Sequence, residues 1–395
     1  MSAESLAAQP ETDAGFSPVD NELPLRWFRR VHLVPATELG TGRRALFFAA
    51  VSWLPLMGWA AYSGGLADIK SGESLAQHYG IHVRCLVATP LFILAEGVLQ
   101  ATVMRIGSNF VSSGVVPLAQ QAVFVQLIHR LRSLRDSTLP WVFVFGATIV
   151  WTLMDQPSAH EDVMSWAMSS DGTLAFGGWW FAYVVRPIFL ALLLGWVWRL
   201  LLVTYWLWRV GRLDLSFVPT HPDHAGGIAF VEKLPGAFAL VTFAISAAIA
   251  SRWAHEIVHH GATLQSFRLP AAIFAIVWTL LMLLPLLALA PPLQKARKSA
   301  ASAYSALVGG QGRLVHRRWI LHEAVDDEPI LDAPEIGPVA DAASMYDAVK
   351  NMRIIPIGKS SLAGVLVPLA IPMIVVSMMQ IPLGELLLKL AKALV

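Results

Sequence analysis

The stretch TLAFGGWWFAYVVRPIFLALLLGWVW, residues 173–198, decides the fold. It contains one charged residue, Arg186, and as an α-helix it is longer than the roughly 30 Å that a hydrocarbon layer requires. Similar blocks lie near residues 45–62, 83–104, 139–154, 234–253 and 270–290. Charged residues make up 14% of the chain, against about 25% in soluble domains. The sequence therefore predicts an all-α polytopic transmembrane bundle in contact with the lipid bilayer.

A seventh apolar block, residues 362–379, contains Pro368 and Pro372. A proline inside a helix removes one backbone donor and can kink or break the helix. The block is therefore either a full span or a re-entrant pair of half-helices, and the bundle has six or seven spans. On this interpretation, residues 361–395 form that span or re-entrant segment and an amphipathic tail.

The segments outside the spans differ in composition. Residues 1–25 are polar and proline-containing, which predicts a disordered cytoplasmic leader before the bundle of residues 26–292. Residues 293–360 are hydrophilic, basic at first and then acidic, and we expect a small cytoplasmic cap of helices and loops there. The pattern from Gln120 to Arg135 predicts an amphipathic helix that lies on the headgroups or packs on the bundle.

The basic residues predict the orientation. If six spans alternate, most Lys and Arg residues of the loops fall on the side of the N-terminus, which is the pattern of cytoplasmic loops in an inner-membrane protein. The formal net charge of +2 indicates no basic field for nucleic acid, so we expect no such partner. A homo-oligomer is possible, but the sequence indicates no subunit number.

Two charges fall inside the predicted spans. Glu96 and Arg186 lie at similar counted depths in the second and fourth spans, and we expect them to form a contact because each charge alone is unfavourable there. Gln100 follows Glu96 by one turn on the same helix face. The pair is either a structural contact or part of a path for a solute or proton. Arg199 and Arg209 are expected to extend to the cytoplasmic interface.

Histidines concentrate on the predicted outer side. His255-Glu256-Ile257-Val258-His259 matches H-E-x-x-H, in which two histidines bind zinc and the glutamate is the base of a hydrolase. The next span, residues 270–290, contains no Asp, Glu, His or Cys to serve as a third ligand. Together with His78 and His82, these histidines could instead bind a divalent metal or sense acidic pH, or be interfacial residues without a ligand.

The segment His221-Pro222-Asp223-His224-Ala225-Gly226-Gly227 lies on the predicted cytoplasmic side. His221, Asp223 and His224 either bind a ligand or belong to a turn that leads into the fifth span, a role that suits Asp223 followed by Gly226 and Gly227.

The stretch WLWRVGRLDLSFVPTHPDHAGGIAF, residues 206–230, resembles a segment of a family of uncharacterised bacterial multi-pass membrane proteins. Residues 347–361, DAVKNMRIIPIGKSS, and the leucine-rich tail after Pro382 are similar to the same family. The resemblance implies a bacterial inner-membrane protein with a meaningful HPDxxGG loop, and it implies no mechanism.

Three functional hypotheses follow. The first is transport of an ion or small solute, or a channel-like activity. The second is a non-catalytic scaffold, sensor or accessory subunit. The third is a zinc hydrolase that uses Glu256, and it is ranked last because the motif lacks a third ligand.

Overall fold

The computed structural model of the chain describes residues 15–35, 38–66, 74–154, 166–167, 173–323 and 337–380. Within these ranges the regular secondary structure is helical and contains no β-strand. The helices are α1 Leu23–Arg30, α2 Thr41–Tyr62, α3 Tyr79–Ser112, α4 Leu118–Asp136, α5 Leu139–Met154, α6 Phe176–Val210, α7 Ala229–His259, α8 Leu264–Leu287, α9 Ala290–Val315, α10 Gly337–Asn351 and α11 Lys359–Ser377.

Seven candidate spans, by length and composition, are α2, α3, the α4–α5 stretch, α6, α7, α8 and α11. The all-α membrane bundle predicted from the sequence is therefore confirmed. The helix α11 is continuous through Pro368 and Pro372, so the alternative of two half-helices is wrong. Gly364 of α11 approaches Gly236 so closely that a Cβ on Gly364 would meet the Gly236 Cα at 2.9 Å, and this small pair permits tight packing at the start of α7.

The centre of the bundle is formed by α3, α6 and α7, because their faces supply most of the main apolar core. Two side chains join these helices to their neighbours through an indole or a hydroxyl donor. Trp196 of α6 donates from Nε1 to the Phe92 carbonyl of α3 at 3.0 Å. Ser246 of α7 donates to the Leu369 carbonyl of α11 at 2.6 Å. Large apolar side chains of α5 and α8 remain exposed, including Phe143, Trp151 and Ile276, as a lipid-facing helix requires.

The two ends of the bundle have different chemistry. The basic end carries α1, the start of α2, α4, residues 211–228, α9 and α10, and the histidine end carries His78, His255, His259 and His260. Contacts of α11 confirm that its two termini lie at opposite ends. Ser361 donates to the Glu232 carbonyl at the basic end, and Gln380 donates to the Ala262 carbonyl at the histidine end.

The predicted leader is the first correction. Residues 1–14 lie outside the described residues, but residues 15–25 pack on the bundle. Phe16, Val19, Glu22 and Leu25 are all buried, and Phe16 contacts the Trp206 ring of α6 with centroids 6.0 Å apart. Pro18 is buried as well, so this short segment covers the basic end with most of its apolar side chains.

The predicted amphipathic helix is present as α4, and it packs on the bundle. Phe124, Leu127, Ile128 and Leu131 are buried in the main core, whereas Val123 on the opposite face is exposed. The spacing of the buried residues is that of one helix face. Of the two placements left open by the sequence, the structure has the packed one.

Candidate functional site

Four charged side chains meet inside the bundle near the basic end. Glu22 immediately precedes α1, Arg44 lies in the first turn of α2, Glu96 in α3 and Arg199 in α6. Their exposed fractions lie between 0% and 3%. The segment before the first span and three separate spans therefore contribute one charge each to a common interior site, which we call the four-charge cluster.

The cluster is held by bidentate guanidinium–carboxylate contacts. Arg44 donates from both Nη atoms to the two carboxylate oxygens of Glu96. Arg199 donates from Nη2 to Glu96 Oε1 at 2.8 Å and to Glu22 Oε2 at 2.6 Å. Its Nε also contacts both Glu22 oxygens, at 3.2 and 3.3 Å. The Nη2 atom of Arg199 thus bridges the two carboxylates, and the formal charges of the cluster sum to zero.

Two guanidinium atoms in the cluster keep unused donors. Arg44 Nε and Arg199 Nη1 are buried without a hydrogen-bond partner among the residues that the structure describes. The planes of both groups are covered by aromatic rings, since Arg44 lies 5.2 Å from the Phe28 centroid and Arg199 lies 5.1 Å from that of Trp196. Such contacts stabilise a cation in an apolar interior. They do not supply the missing acceptors.

Glu22 is the member of the cluster that lies outside the spans. Burial raises its pKa from an ordinary value of 4.5 to about 7, and Arg199 offsets only part of that effect. Because the pKa is higher in the folded state, the stabilising contribution of Glu22 is full below about pH 4.5 and is lost as the pH rises through about 7.

We therefore expect residues 15–30 to be held more tightly at pH 5 than at pH 8. Hydrogen-exchange mass spectrometry, corrected for intrinsic exchange rates, measures this as lower amide protection at pH 8. In Glu22→Gln the difference between the two pH values should be smaller, because the titrating carboxyl is absent. The assignment would be contradicted if amide protection differed between pH 5 and pH 8 by the same amount in both proteins. The change would then arise from other groups, such as the histidines.

The predicted contact between Glu96 and Arg186 is wrong. Glu96 binds Arg199 of α6. Arg186 lies on the same helix as Arg199, and the two arginines are about 20 Å apart along its axis at a rise of about 1.5 Å per residue. The prediction failed because both helices extend beyond the apolar blocks used to count depth. For the same reason Arg199 lies in the interior, whereas the sequence had placed it at the interface.

Gln100 lies beside a cavity of about 630 Å³ at the basic end. The wall includes Gly97 and Gln100 of α3 and residues 40–43 at the start of α2, whereas Glu96 is not part of it. Within the described part of the chain, the buried Oε1 atom of Gln100 has no hydrogen-bond partner. Glu96 and Gln100, which the sequence predicts on one helix face, therefore have different surroundings, with Glu96 in the four-charge cluster and Gln100 at the cavity.

Arg186 lines a second cavity of about 250 Å³, in the half of the bundle nearer the histidine end. Arg84 of α3 is also part of its wall, and its guanidinium lies 5.8 Å from the ring centroid of Phe189. Arg84 and Arg186 therefore line one cavity, and Glu96 is not part of its wall.

The histidine end contains a group of imidazole rings that contact one another. The centroid of His255 lies 5.2 Å from that of His78, 4.6 Å from that of His259 and 5.7 Å from that of His260. His82 is separate, because its Nδ1 accepts from Trp53 Nε1 at 3.0 Å and its Nε2 lies 2.9 Å from the Leu75 carbonyl. Both ring nitrogens of His82 are therefore engaged, so neither is available to bind a metal together with His78.

The H-E-x-x-H segment lies at the end of α7, with His255 and His259 one turn apart. In the described part of the chain, no group of three or more His, Cys, Asp or Glu side chains is arranged to hold a metal ion. His255, Glu256 and His259 consequently have no third zinc ligand there. His160, Glu161 and Asp162 lie outside the described residues.

The loop of residues 221–227 is organised by the carboxylate of Asp223. It accepts the backbone N–H groups of Ala225, Gly227 and Ala229 at 2.8, 3.2 and 3.0 Å. Burial alone would raise the pKa of Asp223, but these three donors and the nearby His221 outweigh it and hold the pKa below its ordinary value.

The same loop anchors the chain before α11. The Arg353 side chain donates to the Asp223 carbonyl and its backbone N–H donates to the His224 carbonyl, at 2.9 and 2.7 Å. Gly226 has φ +68°, and a Cβ there would meet the Met352 side chain at 2.9 Å. The geometry therefore supports the turn interpretation for His221, Asp223, His224, Gly226 and Gly227.

No family model, curated protein or solved structure matches this chain.

Proposed function

We propose that this protein is a multi-pass protein of the bacterial inner membrane that transports an ion or small solute. The observation that carries the proposal is the insertion of Glu22, from a segment outside the spans, into the four-charge cluster. Ionisable groups inside membrane bundles are unfavourable, and they characteristically line solute or ion paths. The resemblance of residues 206–230 to bacterial membrane proteins supports the location.

A purely structural contact does not require these charges. Replacing a buried ion pair by apolar residues of similar volume is often neutral or stabilising. In the four-charge cluster, moreover, one carboxylate is attached to a segment that covers the basic end and crosses no part of the bundle. Release of Glu22 would free one side of Arg199 without displacing any span. This arrangement supports a path whose basic end is closed by residues 15–30.

The distribution of basic residues supports an orientation with the basic end in the cytoplasm. Its arginines and lysines include Arg26, Arg29, Arg30, Arg43, Arg105, Arg130, Arg209, Arg212, Lys295, Arg297 and Lys298. The N-terminal segment would then close the path from the cytoplasmic side.

A second candidate is an accessory subunit that binds a partner through its cytoplasmic cap. The helices α9 and α10 lie outside the spans and are joined by Arg297, which donates to the Lys350 carbonyl at 2.6 Å. Leu307 of α9, with Trp319 and Ile320 beyond it, is exposed. This candidate predicts that neutralising Glu96 has no effect on solute movement, because no solute would pass through the bundle.

The test is flux in proteoliposomes, measured as current on a solid-supported membrane under gradients of cations and of inorganic and organic anions. Glu96→Gln is expected to lose flux by about tenfold or more, because loss of a charged hydrogen-bonded contact amounts to about 1.5 kcal/mol or more. Glu22→Lys is expected to raise flux, since a second cation beside Arg199 would weaken the closure at the basic end.

The matched control is Asp214→Asn, which neutralises an exposed carboxylate at the basic end and should leave flux unchanged. Size-exclusion profiles and helical content would show that each variant is folded. Absence of flux for every gradient, or equal flux in Glu96→Gln and the control, would exclude the transport proposal.

A further inference from the structure

The carboxylate of Glu22 reaches the four-charge cluster from residues 15–30, the N-terminal segment. This segment lies on the basic end and contacts the bundle through apolar side chains and a few hydrogen bonds, such as that from Arg135 of α4 to the Ser17 carbonyl at 2.8 Å. The other three charges of the cluster belong to α2, α3 and α6. Glu22 is therefore the member of the cluster that can leave while the spans keep their positions.

The contact between Glu22 and Arg199 has the form in which an arginine binds a carboxylate ligand. Two donors of Arg199 face the carboxylate, with Nη2 2.6 Å from Oε2 and Nε 3.2 Å from Oε1. Paired donors of this kind suit planar acids with two oxygens. Trp196 covers the plane of the guanidinium, with its ring centroid 5.1 Å away. Glu22 thus occupies a preformed carboxylate site on α6.

Departure of Glu22 would leave this site with unused donors and an excess charge. The charges that act on Glu22 in the described part of the chain are those of Arg199, Glu96 and Arg44. Without Glu22 these three sum to +1, because Glu96 compensates only one of the two arginines. Nη1 of Arg199 already has no hydrogen-bond partner among the described residues, and Nε would lose the one it has. Such a buried site favours an anion that supplies acceptors.

We propose that Arg199 binds the carboxylate of a small organic acid, and that Glu22 is a tethered occupant which this acid displaces. The proposal rests on the transport function, for which it names the class of solute and the contact that opens the basic end. A solute that brings its own carboxylate restores the neutral cluster, so the solute and the N-terminal segment exclude each other. An uncharged solute cannot make this exchange, because it would leave the charge of Arg199 uncompensated.

Loosening the N-terminal segment should strengthen binding without changing the cluster itself. Propionate is the probe, since it reproduces the Glu22 side chain from Cβ outwards. Phe16→Asp places a charge where the ring is buried against Trp206, so it is expected to weaken docking of the segment. In equilibrium dialysis of the full-length protein in neutral detergent, this variant should bind radiolabelled propionate about tenfold or more tightly than the unaltered protein, because the site is no longer occupied.

Trp27→Asp is the matched control for Phe16→Asp. Trp27 belongs to the same segment, but its side chain is 62% exposed, so the added charge remains in water. This variant should bind propionate as the unaltered protein does. Equal affinity in the Phe16→Asp and Trp27→Asp variants would overturn the proposed competition.

Removal of the guanidinium tests the assignment of the site to Arg199. In the Phe16→Asp background, Arg199→Gln is expected to weaken propionate binding by about tenfold or more, whereas Arg199→Lys should retain part of it. Arg209→Gln on the same helix is the control and should leave binding unchanged. Undiminished binding in a folded Arg199→Gln variant would overturn the proposal, and so would equal binding of propionate and propionamide, which has the same shape without the charge.

A measurement on the unaltered protein keeps the proposal testable if these variants do not fold. Propionate is expected to raise amide hydrogen exchange in residues 15–30, because it competes with Glu22 for Arg199. Its concentration should exceed the millimolar range that is typical of a tethered group. Propionamide, and sodium chloride at the same concentration, should have no such effect. Unchanged exchange with propionate, or the same change with either control, would overturn the proposal.

Flux measurements separate this site from the transport proposal. Propionate binding that depends on Arg199, without flux of any solute, would retain the carboxylate site and exclude transport. Flux restricted to cations, with no effect of propionate on exchange and no propionate binding, would retain transport and exclude the carboxylate site.

Discussion

Replacing Arg199 by methionine should lower the free energy of unfolding by about 3–5 kcal/mol, the range measured when one partner of a buried ion pair is removed. Glu96 keeps its contact with Arg44, but Glu22 loses the guanidinium that binds it at 2.6 Å. The remaining cluster would hold two buried carboxylates and one cation. Unfolding in mixed detergent and sodium dodecyl sulfate micelles measures the change.

A second substitution separates charge from packing. Glu22→Gln in the Arg199→Met background should recover part of the lost stability, because it removes the carboxylate left without a partner. The matched control is Arg209→Met on the same helix, for which we expect a much smaller effect. The cluster assignment would be refuted if Arg199→Met and Arg209→Met unfolded alike, or if the two substitutions in the cluster were strictly additive.

Replacing Asp223 by alanine should lower the free energy of unfolding by about 2–4 kcal/mol, since the carboxylate accepts three backbone N–H groups and hydrogen bonds to charged groups contribute about 1.5–3 kcal/mol each without being additive. The loop also holds Arg353, so the attachment of residues 352–358 should weaken. Thermal unfolding measures the global loss, and hydrogen exchange at Ala225, Gly227 and Ala229 measures the local one.

Asp214→Ala is the control, because Asp214 is an exposed acid in the same connection between α6 and α7. Asp223→Asn should fall between the two, as an amide oxygen still accepts hydrogen bonds but carries no charge. If Asp223→Ala retained full stability but changed the flux in proteoliposomes, the loop would have a functional role instead of the structural one assigned to it.

Much of the architecture was predictable because lipid imposes a simple rule. A spanning helix must satisfy its own backbone hydrogen bonds and expose apolar side chains, so long uncharged blocks mark spans directly. The amphipathic helix from Gln120 to Arg135 was predictable for a related reason, since one apolar face must be covered. The proline-containing block before Ser377 was ambiguous, because neighbouring helices decide whether such a helix remains continuous.

The cluster was only partly predictable. The sequence indicated that Glu96 needed a cation inside the bundle, and the choice of Arg186 followed from counting residues from the ends of apolar blocks. Such counting ignores helices that extend past the membrane and the relative shift of neighbouring helices. Glu22 and Arg44 both precede the first apolar block, so the sequence predicts both on the aqueous side. The sequence feature that could indicate the burial of Glu22 is its position in a series with Phe16, Val19 and Leu25, in which the residues are three positions apart.

The sequence by itself determined that the chain is a helical membrane bundle, that Glu96 lies in its interior, and that Asp223 suits a turn. These properties depend on local composition, periodicity and backbone preference, all of which act over a few residues. Tertiary structure alone decided that Arg44, Arg199 and Glu22 surround Glu96, and that Arg84 and Arg186 line one cavity. The partners of a buried charge are chosen by the register and packing of helices that are distant in sequence, and no local pattern specifies that register.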